Sequence, residues 1–331
     1  MVCSSGIEVE RKVIAILRVL NQSAELLGAR VIARRLEEYG IHLTERAVRY
    51  HLKLMDERGL TRAVGRSGRI ITSSGVEEVR NALVSDKVGF VINRIELLAF
   101  QTTFDYKTQS GLVPVNTSLF PQDKWRQALK VMKDVYRSGL CVSDRVVVAR
   151  EGEKIGAATI PTGKVGFATV CSIAVNGALL KAGIPLDSRF GGILQIRNYK
   201  PLRFVELIHY AGSSLDPSTV FITGKMTAVG DAAKTGEGKV LANFREIPAQ
   251  CRPLAETVIT RLKEAHLGGL VVMGDTGEPV CETAVEPNRV GLILFGGLNP
   301  VAAVEEAGIE TRNFAMNSIV DYAQLRSIWE L

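Results

Sequence analysis

Three stripes of apolar residues at helical spacing open the chain. Val13, Ile16, Leu17 and Leu20 recur at i, i+3, i+4 and i+7, which is one face of a helix. Ile32, Ala33, Leu36 and Tyr39 repeat the pattern, and Gly40 is placed to end it. A third helix is predicted from Thr44, a side chain suited to capping a helix start, to residue 58. Gly59 then supplies a left-handed stop, and Leu60 is the apolar residue that commonly follows one. Ala47, Val48, Leu52, Leu54 and Met55 mark the expected buried side, and Arg46, Arg49, Tyr50 and Lys53 share the opposite one. Beyond this helix the period changes. Residues 60–64 and 70–72 read as short strands around the turn Gly65-Arg66-Ser67-Gly68-Arg69. Three helices followed by a basic-tipped hairpin is the order of a winged helix-turn-helix. A linking helix over about 75–84 comes next. Ser85-Asp86-Lys87 is the expected boundary between a domain 1–84 and a domain 85–331.

The longer remainder repeats itself. Residues 146–184 align on 271–309 without gaps, with ten identities in 39 positions, ending in a shared Ala-Gly-Ile. Upstream, Lys107, Thr108, Gly111, Asn116 and Pro121 match Lys234, Thr235, Gly238, Asn243 and Pro248. Each half is expected to run helix (124–137; 254–265), strand hairpin turning at 151–153 or 275–278, apolar strand (165–171; 290–295) and helix (173–182; 300–307). A further strand over 190–197 continues the first half. The predicted fold class is therefore a winged helix-turn-helix, mainly α with a β-wing, joined to an α/β (α+β) domain. That domain is built from two similar halves, about 88–200 and 201–331, around one core.

Charge sharpens the reading of the first part. Residues 1–80 hold fourteen Lys/Arg against ten Asp/Glu, while the other 251 residues hold 27 against 25. A basic sub-domain points to a polyanionic partner. Thr44, Arg46, Arg49, Tyr50 and Lys53, with Arg66 and Arg69 on the wing, are the candidate contacts to double-stranded DNA. Arginine can pair with guanine edges and lysine with phosphates. Taken alone, the same stripe also fits a solvated charged face, and winged helices also serve as protein or RNA contacts.

Other classes lose ground. The five cysteines are widely spaced with no C-x-x-C, and the four histidines have no metal-ligand spacing. Reduced thiols in the cytoplasm and no metal are expected. The most apolar stretch, 165–180, is shorter than a membrane span and contains Gly166, Asn176 and Gly177. No catalytic or cofactor motif stands out. An enzyme fused to a DNA-binding domain remains the alternative.

Small-molecule binding is expected where a strand turns directly into a helix, because free N–H groups there attract carboxylates. This happens twice, at Thr169, Cys171 and Ser172 and at Gly296, Gly297 and Asn299. A pseudo-two-fold cleft between these ends would take one carboxylate at each. The same residues also fit plain tight turns. Cys171 reads as a buried structural thiol or as a thiolate activated by the helix start.

The segments Lys164-Val-Gly-Phe-Ala-Thr-Val-Cys171-Ser, Asn176-Gly-Ala-Leu-Leu-Lys-Ala-Gly-Ile184-Pro, Phe190-Gly-Gly192 and Gly296-Gly-Leu-Asn-Pro300 resemble the archaeal nitrogen regulatory repressors, the NrpR family. The resemblance extends over nearly the whole chain. It implies a dimeric repressor of nitrogen-fixation and ammonia-assimilation genes that binds inverted-repeat operators in methanogens and their relatives. It implies 2-oxoglutarate as the effector that releases the operator. Some members carry two effector domains; this chain has length for one, so a separate effector-domain protein is a possible partner.

Overall fold

The computed structural model describes residues 3–23, 26–37, 40–65, 68–81, 90–156 and 158–331. It forms two compact units, 1–93 and 94–331. The boundary expected at 85–87 lies outside the described residues.

The first unit holds α1 (Cys3–Asn21), α2 (Ala29–Glu37), α3 (Glu45–Glu57), β1 (Thr61–Val64), β2 (Gly68–Ile71) and α4 (Ser73–Asn81). Its core is made by the predicted stripes. Val13, Ile16, Leu17, Leu20, Ile32, Leu36, Val48, Leu52, Met55 and Leu60 are all buried. Burying such side chains is worth roughly 1.5–3 kcal/mol each. Ala47 and Leu54 are only half-buried, and His51, outside the expected buried set, takes a place in the core. Tyr39 lies outside the described residues.

The ends of α3 are set by local chemistry. Thr44 Oγ1 accepts the Ala47 N–H at 3.2 Å. Gly59 takes a φ of 71°, and the Leu60 N–H returns to the Met55 carbonyl at 2.9 Å. β1 and β2 pair antiparallel, and Leu27 adds a bridge to Arg69. Gly68 is required by that bridge, because a Cβ there would lie 2.8 Å from the Leu27 backbone.

The division between units falls within α5 (Phe90–Gln101). The second unit continues with β3 (Leu112–Pro121), α6 (Trp125–Arg137), β4 (Arg145–Ala149), β5 (Lys154–Ile155), β6 (Ala158–Thr159), β7 (Lys164–Val170), α7 (Ile173–Lys181), β8 (Asp187–Arg197) and β9 (Lys200–His209). Then come α8 (Pro217–Thr223), α9 (Val229–Thr235), β10 (Gly238–Pro248), α10 (Arg252–Glu264), β11 (Leu270–Thr276), β12 (Arg289–Phe295), α11 (Asn299–Glu306), β13 (Arg312–Asp321) and β14 (Arg326–Ser327). The two halves share this plan, as their sequences imply.

They do not stay apart. One five-stranded sheet runs β13-β3-β7-β4-β14 and the other β11-β12-β10-β8-β9, each antiparallel throughout. β8 leaves its own half and pairs along β10, and β13 returns the exchange by pairing along β3. The expectation that strand 190–197 simply extends the first half is corrected here. So are the hairpins expected around 151–153 and 275–278: β4 pairs with β7, and β11 with β12, across longer connections.

The helices follow the same exchange. α6 packs on α11 and α9, and α10 packs on α7. Ala128, Met132, Val135 and Tyr136 form the buried stripe of α6. Two hydrophobic clusters result, each drawing on both halves, in place of the single core expected.

Candidate nucleic-acid interface and effector pocket

The stripe on α3 is exposed. Arg46, Arg49, Tyr50 and Lys53 all face solvent within the first unit, while Val48, His51, Leu52 and Met55 face its core. Glu45 organises the arginines. Its carboxylate accepts from Arg30 Nε at 3.3 Å and pairs with Arg49 one turn later. The Arg30 contact holds that carboxyl below its ordinary range, with Arg49 adding to the effect. Lys53 stands 4.0 Å from Glu57.

The wing departs from expectation. Arg69 is not a free tip cation, because its Nε donates to Asp56 Oδ2 at 2.7 Å. Asp56 Oδ1 also accepts from Thr61 Oγ1 at 2.6 Å. Arg69 thus pins β2 to the far end of α3. Arg66 lies outside the described residues. Arg62 is an exposed cation on β1 that the sequence reading passed over.

In the second unit the two strand-to-helix turns meet. A small pocket of about 20 Å³ at the seam between the halves is lined by Cys171, Ser172, Gly296 and Gly297 together with Asn116, Tyr210, Asp216, Asn243 and Arg245. Symmetry-related residues face one another: Asn116 matches Asn243, and Ser172 matches Gly297.

The polar side chains form a connected set. Tyr210 donates to Asn243 Oδ1. Asn243 Nδ2 and Arg245 Nη2 both donate to Ser172 Oγ, at 3.2 and 3.0 Å. Asn116 Nδ2 donates to Thr169 Oγ1 at 3.3 Å, and Asn116 Oδ1 accepts the Met316 N–H at 3.0 Å. Asp216 caps α8, accepting from Thr219 N and Oγ1 at 2.7 and 3.0 Å, and burial raises its carboxyl above the ordinary range.

Two expected site residues have other work. Thr169 is buried behind the lining, where it accepts from Asn116. Asn299 is wholly buried, and both ends of its amide are spent on the Leu241 backbone, at 2.8 and 3.0 Å. Gly297 is required by close packing, since a Cβ there would lie 2.4 Å from the Val170 carbonyl oxygen. Sequence reasoning missed Arg245, Tyr210 and Asp216. The available signal was a lone arginine inside the apolar strand 240–247.

Cys171 is not an activated thiolate. Burial pushes its thiol up to about 11, outweighing the lowering by the Ile173 N–H and by Arg245. Roughly one molecule in a thousand then carries a thiolate at pH 8. Iodoacetamide is expected to modify Cys171 in the folded chain only on the timescale of unfolding, read by peptide mass mapping. Rapid stoichiometric modification at that pH would contradict this environment.

Other candidate cations sit elsewhere. Arg189 is committed to Asp187 and Glu286, at 3.0 and 2.9 Å. Lys107 lines a separate groove with Tyr106, Gln109, Thr257 and Arg261. Among the described residues, no cluster of His, Cys, Asp and Glu is arranged to hold a metal ion, and no helix is long and apolar enough to cross a membrane.

Comparison with known proteins agrees with both units. The family described as NrpR regulatory domains NRD1 and 2 matches residues 88–327, and the Ribonuclease R winged-helix domain matches residues 14–79. The global nitrogen regulator NrpRI of Methanosarcina mazei is 40% identical over 97% of this chain and 99% of its own length. The global nitrogen regulator NrpR of Methanocaldococcus jannaschii is 35% identical over 97% of this chain but only 56% of its own length. A crystal structure of a nitrogen repressor-like protein from Methanococcus jannaschii superposes with a TM-score of 0.62 at 27% identity, covering 73% of this chain and 99% of that one. With its regulatory domain matched almost end to end and a relative alike along its full length, the chain belongs to the NrpR family of nitrogen regulators.

Proposed function

We propose that this chain represses nitrogen-fixation and nitrogen-assimilation genes by binding palindromic operator DNA, and that 2-oxoglutarate releases it. The observation that carries this reading is the exposed stripe Arg46, Arg49, Tyr50 and Lys53 on α3 of a winged helix. The names of the relatives support the set of genes. The polar seam pocket supports a small anionic effector.

The chain acts as a homodimer in this reading. Two copies of α3 about 34 Å apart match successive major grooves of an inverted repeat. The Methanocaldococcus relative extends well beyond the aligned region, and a separate effector-domain protein is proposed as a further partner. Release requires only that 2-oxoglutarate bind the DNA-free arrangement more tightly than the DNA-bound one.

The test is a gel shift of the full chain on upstream DNA with and without 2-oxoglutarate. Millimolar effector is expected to lower operator affinity about tenfold, a coupling of about 1.4 kcal/mol. Unchanged affinity would remove 2-oxoglutarate as effector. Failure to retard any inverted repeat would remove the repressor reading.

A further inference from the structure

The last turn of α3 carries two acids, Asp56 and Glu57, and no base. A helix C-terminus disfavours negative charge, and so does a surface that meets phosphates. Glu57 is exposed beside Lys53. Asp56 is half-buried instead, its side chain 27% exposed, the same as that of its partner Arg69. Both of its oxygens are used across elements. Oδ1 accepts from Oγ1 of Thr61, the first residue of β1, and Oδ2 accepts from Arg69 Nε on β2. One carboxylate at the end of α3 therefore holds both strands of the wing.

Arg69 is where several elements meet. Its N–H donates to the Leu27 carbonyl at 3.1 Å, and its carbonyl accepts the Leu27 N–H at 3.2 Å. These bonds fix β2 to the segment between α1 and α2. Ala63 of β1 is its partner in the ladder. At the base of the hairpin, the Thr72 N–H donates to the Leu60 carbonyl at 3.1 Å and Thr72 Oγ1 to the Gly59 carbonyl at 2.7 Å. Asp56 adds the tie from both strands to the helix itself. Arg62, an exposed cation, lies one residue from that tie.

Contacts to phosphates fix the register of a protein on a duplex, and contacts to base edges read it. A wing on the backbone and a stripe on α3 must therefore meet the DNA at one spacing. We infer that Asp56 is a positioning residue for operator recognition. Acting through Arg69 and Thr61, it sets the wing against α3, so that the wing delivers Arg46, Arg49, Tyr50 and Lys53 to base edges in one register. The assignment rests on the DNA reading above. Electrostatics alone gives the opposite sign: Asp56→Asn removes a negative charge and releases Arg69, which tightens binding to any duplex and steepens its salt dependence. Weaker operator binding after that change needs a geometric cause.

The experiment is anisotropy titration of the full chain on operator and scrambled duplexes, for the wild type, Asp56→Asn, Arg69→Gln and the double variant, with urea unfolding to establish that each is folded under the assay conditions. Asp56→Asn is expected to bind operator about five- to tenfold more weakly and scrambled DNA no more weakly. In the Arg69→Gln background the same change should cost at most about twofold, because Asp56 acts through Arg69. In the wild type, the Arg69 Nε–H should keep its resonance and its protection from exchange when operator is added, a readout that needs no variant. Equal or tighter operator binding by Asp56→Asn would overturn the assignment and leave the DNA reading standing. So would an equal loss on both duplexes, an undiminished effect in the Arg69→Gln background, or release of the Arg69 Nε–H on DNA. Failure of the wild type to prefer operator over scrambled duplex would remove the DNA reading and this assignment with it.

Discussion

Asn299→Asp is expected to destabilise the larger unit by about 3–5 kcal/mol, the cost of an uncompensated charge in a buried hydrogen-bonded position. The wild-type amide completes a sheet. β12 ends at Phe295, and beyond it the hydrogen-bonding groups of Leu241 would face no strand. The Gly296 N–H donates to the Leu241 carbonyl at 2.8 Å. Asn299 Oδ1 accepts the Leu241 N–H at 2.8 Å, and Nδ2 donates to the Leu241 carbonyl at 3.0 Å. The side chain thus plays the part of the missing strand residue. Aspartate has the same outline but presents a second acceptor to that carbonyl, with no counterion. Asn299→Ala removes the group without adding charge and should cost less, about 1–3 kcal/mol for the Leu241 N–H left unpaired. Urea unfolding measures both. Equal stability of the three proteins, with a lost response to effector, would return Asn299 to the ligand site where the sequence alone put it.

Arg49→Ala should weaken operator binding by about 10- to 100-fold and flatten the preference at one base pair. One bidentate arginine–guanine pair discriminates by about 1–3 kcal/mol. The structure prepares this arginine. Glu45 grips Arg49 from one turn earlier on the same helix and also takes Arg30 from α2, so the guanidinium is held before DNA arrives. Lys53→Ala should act differently, weakening all sequences alike and reducing the salt slope by about one. Anisotropy titrations over a salt series, with operator and scrambled duplexes, separate the two patterns. Unchanged affinity and preference for Arg49→Ala would move the reading surface off this face of α3.

The first unit was legible because its signals are local. Thr44 and Gly59 bracket α3 by hydrogen bonds that span only a few residues, and the apolar stripes need no distant partner to be read. The wing arginine shows where this ends. Arg69 looks free in sequence because its partner, Asp56, belongs to the preceding helix. The larger unit hid its strand pairing for the same reason. The apolar run of β8 announces burial without naming β10 as its neighbour, and the turn at 151–153 announces a reversal without showing that β4 continues onto β7. At the seam, the duplicated Asn116 and Asn243 were visible as a repeat. Arg245 was missed because the other copy carries Ser118 at the matching position, so the repeat does not mark it.

The trade of β8 for β13 means that neither half owns a finished sheet. Severed at about residue 210, the leading piece would carry a β8–β9 ribbon with nothing to dock on and a β3 stripped of its flank. The trailing piece would have the mirror-image deficit. Bare strand rims of that kind invite pairing with other chains. The halves are thus clasped, each lending the other a finger, and the polypeptide joining them keeps two mutually dependent parts within reach.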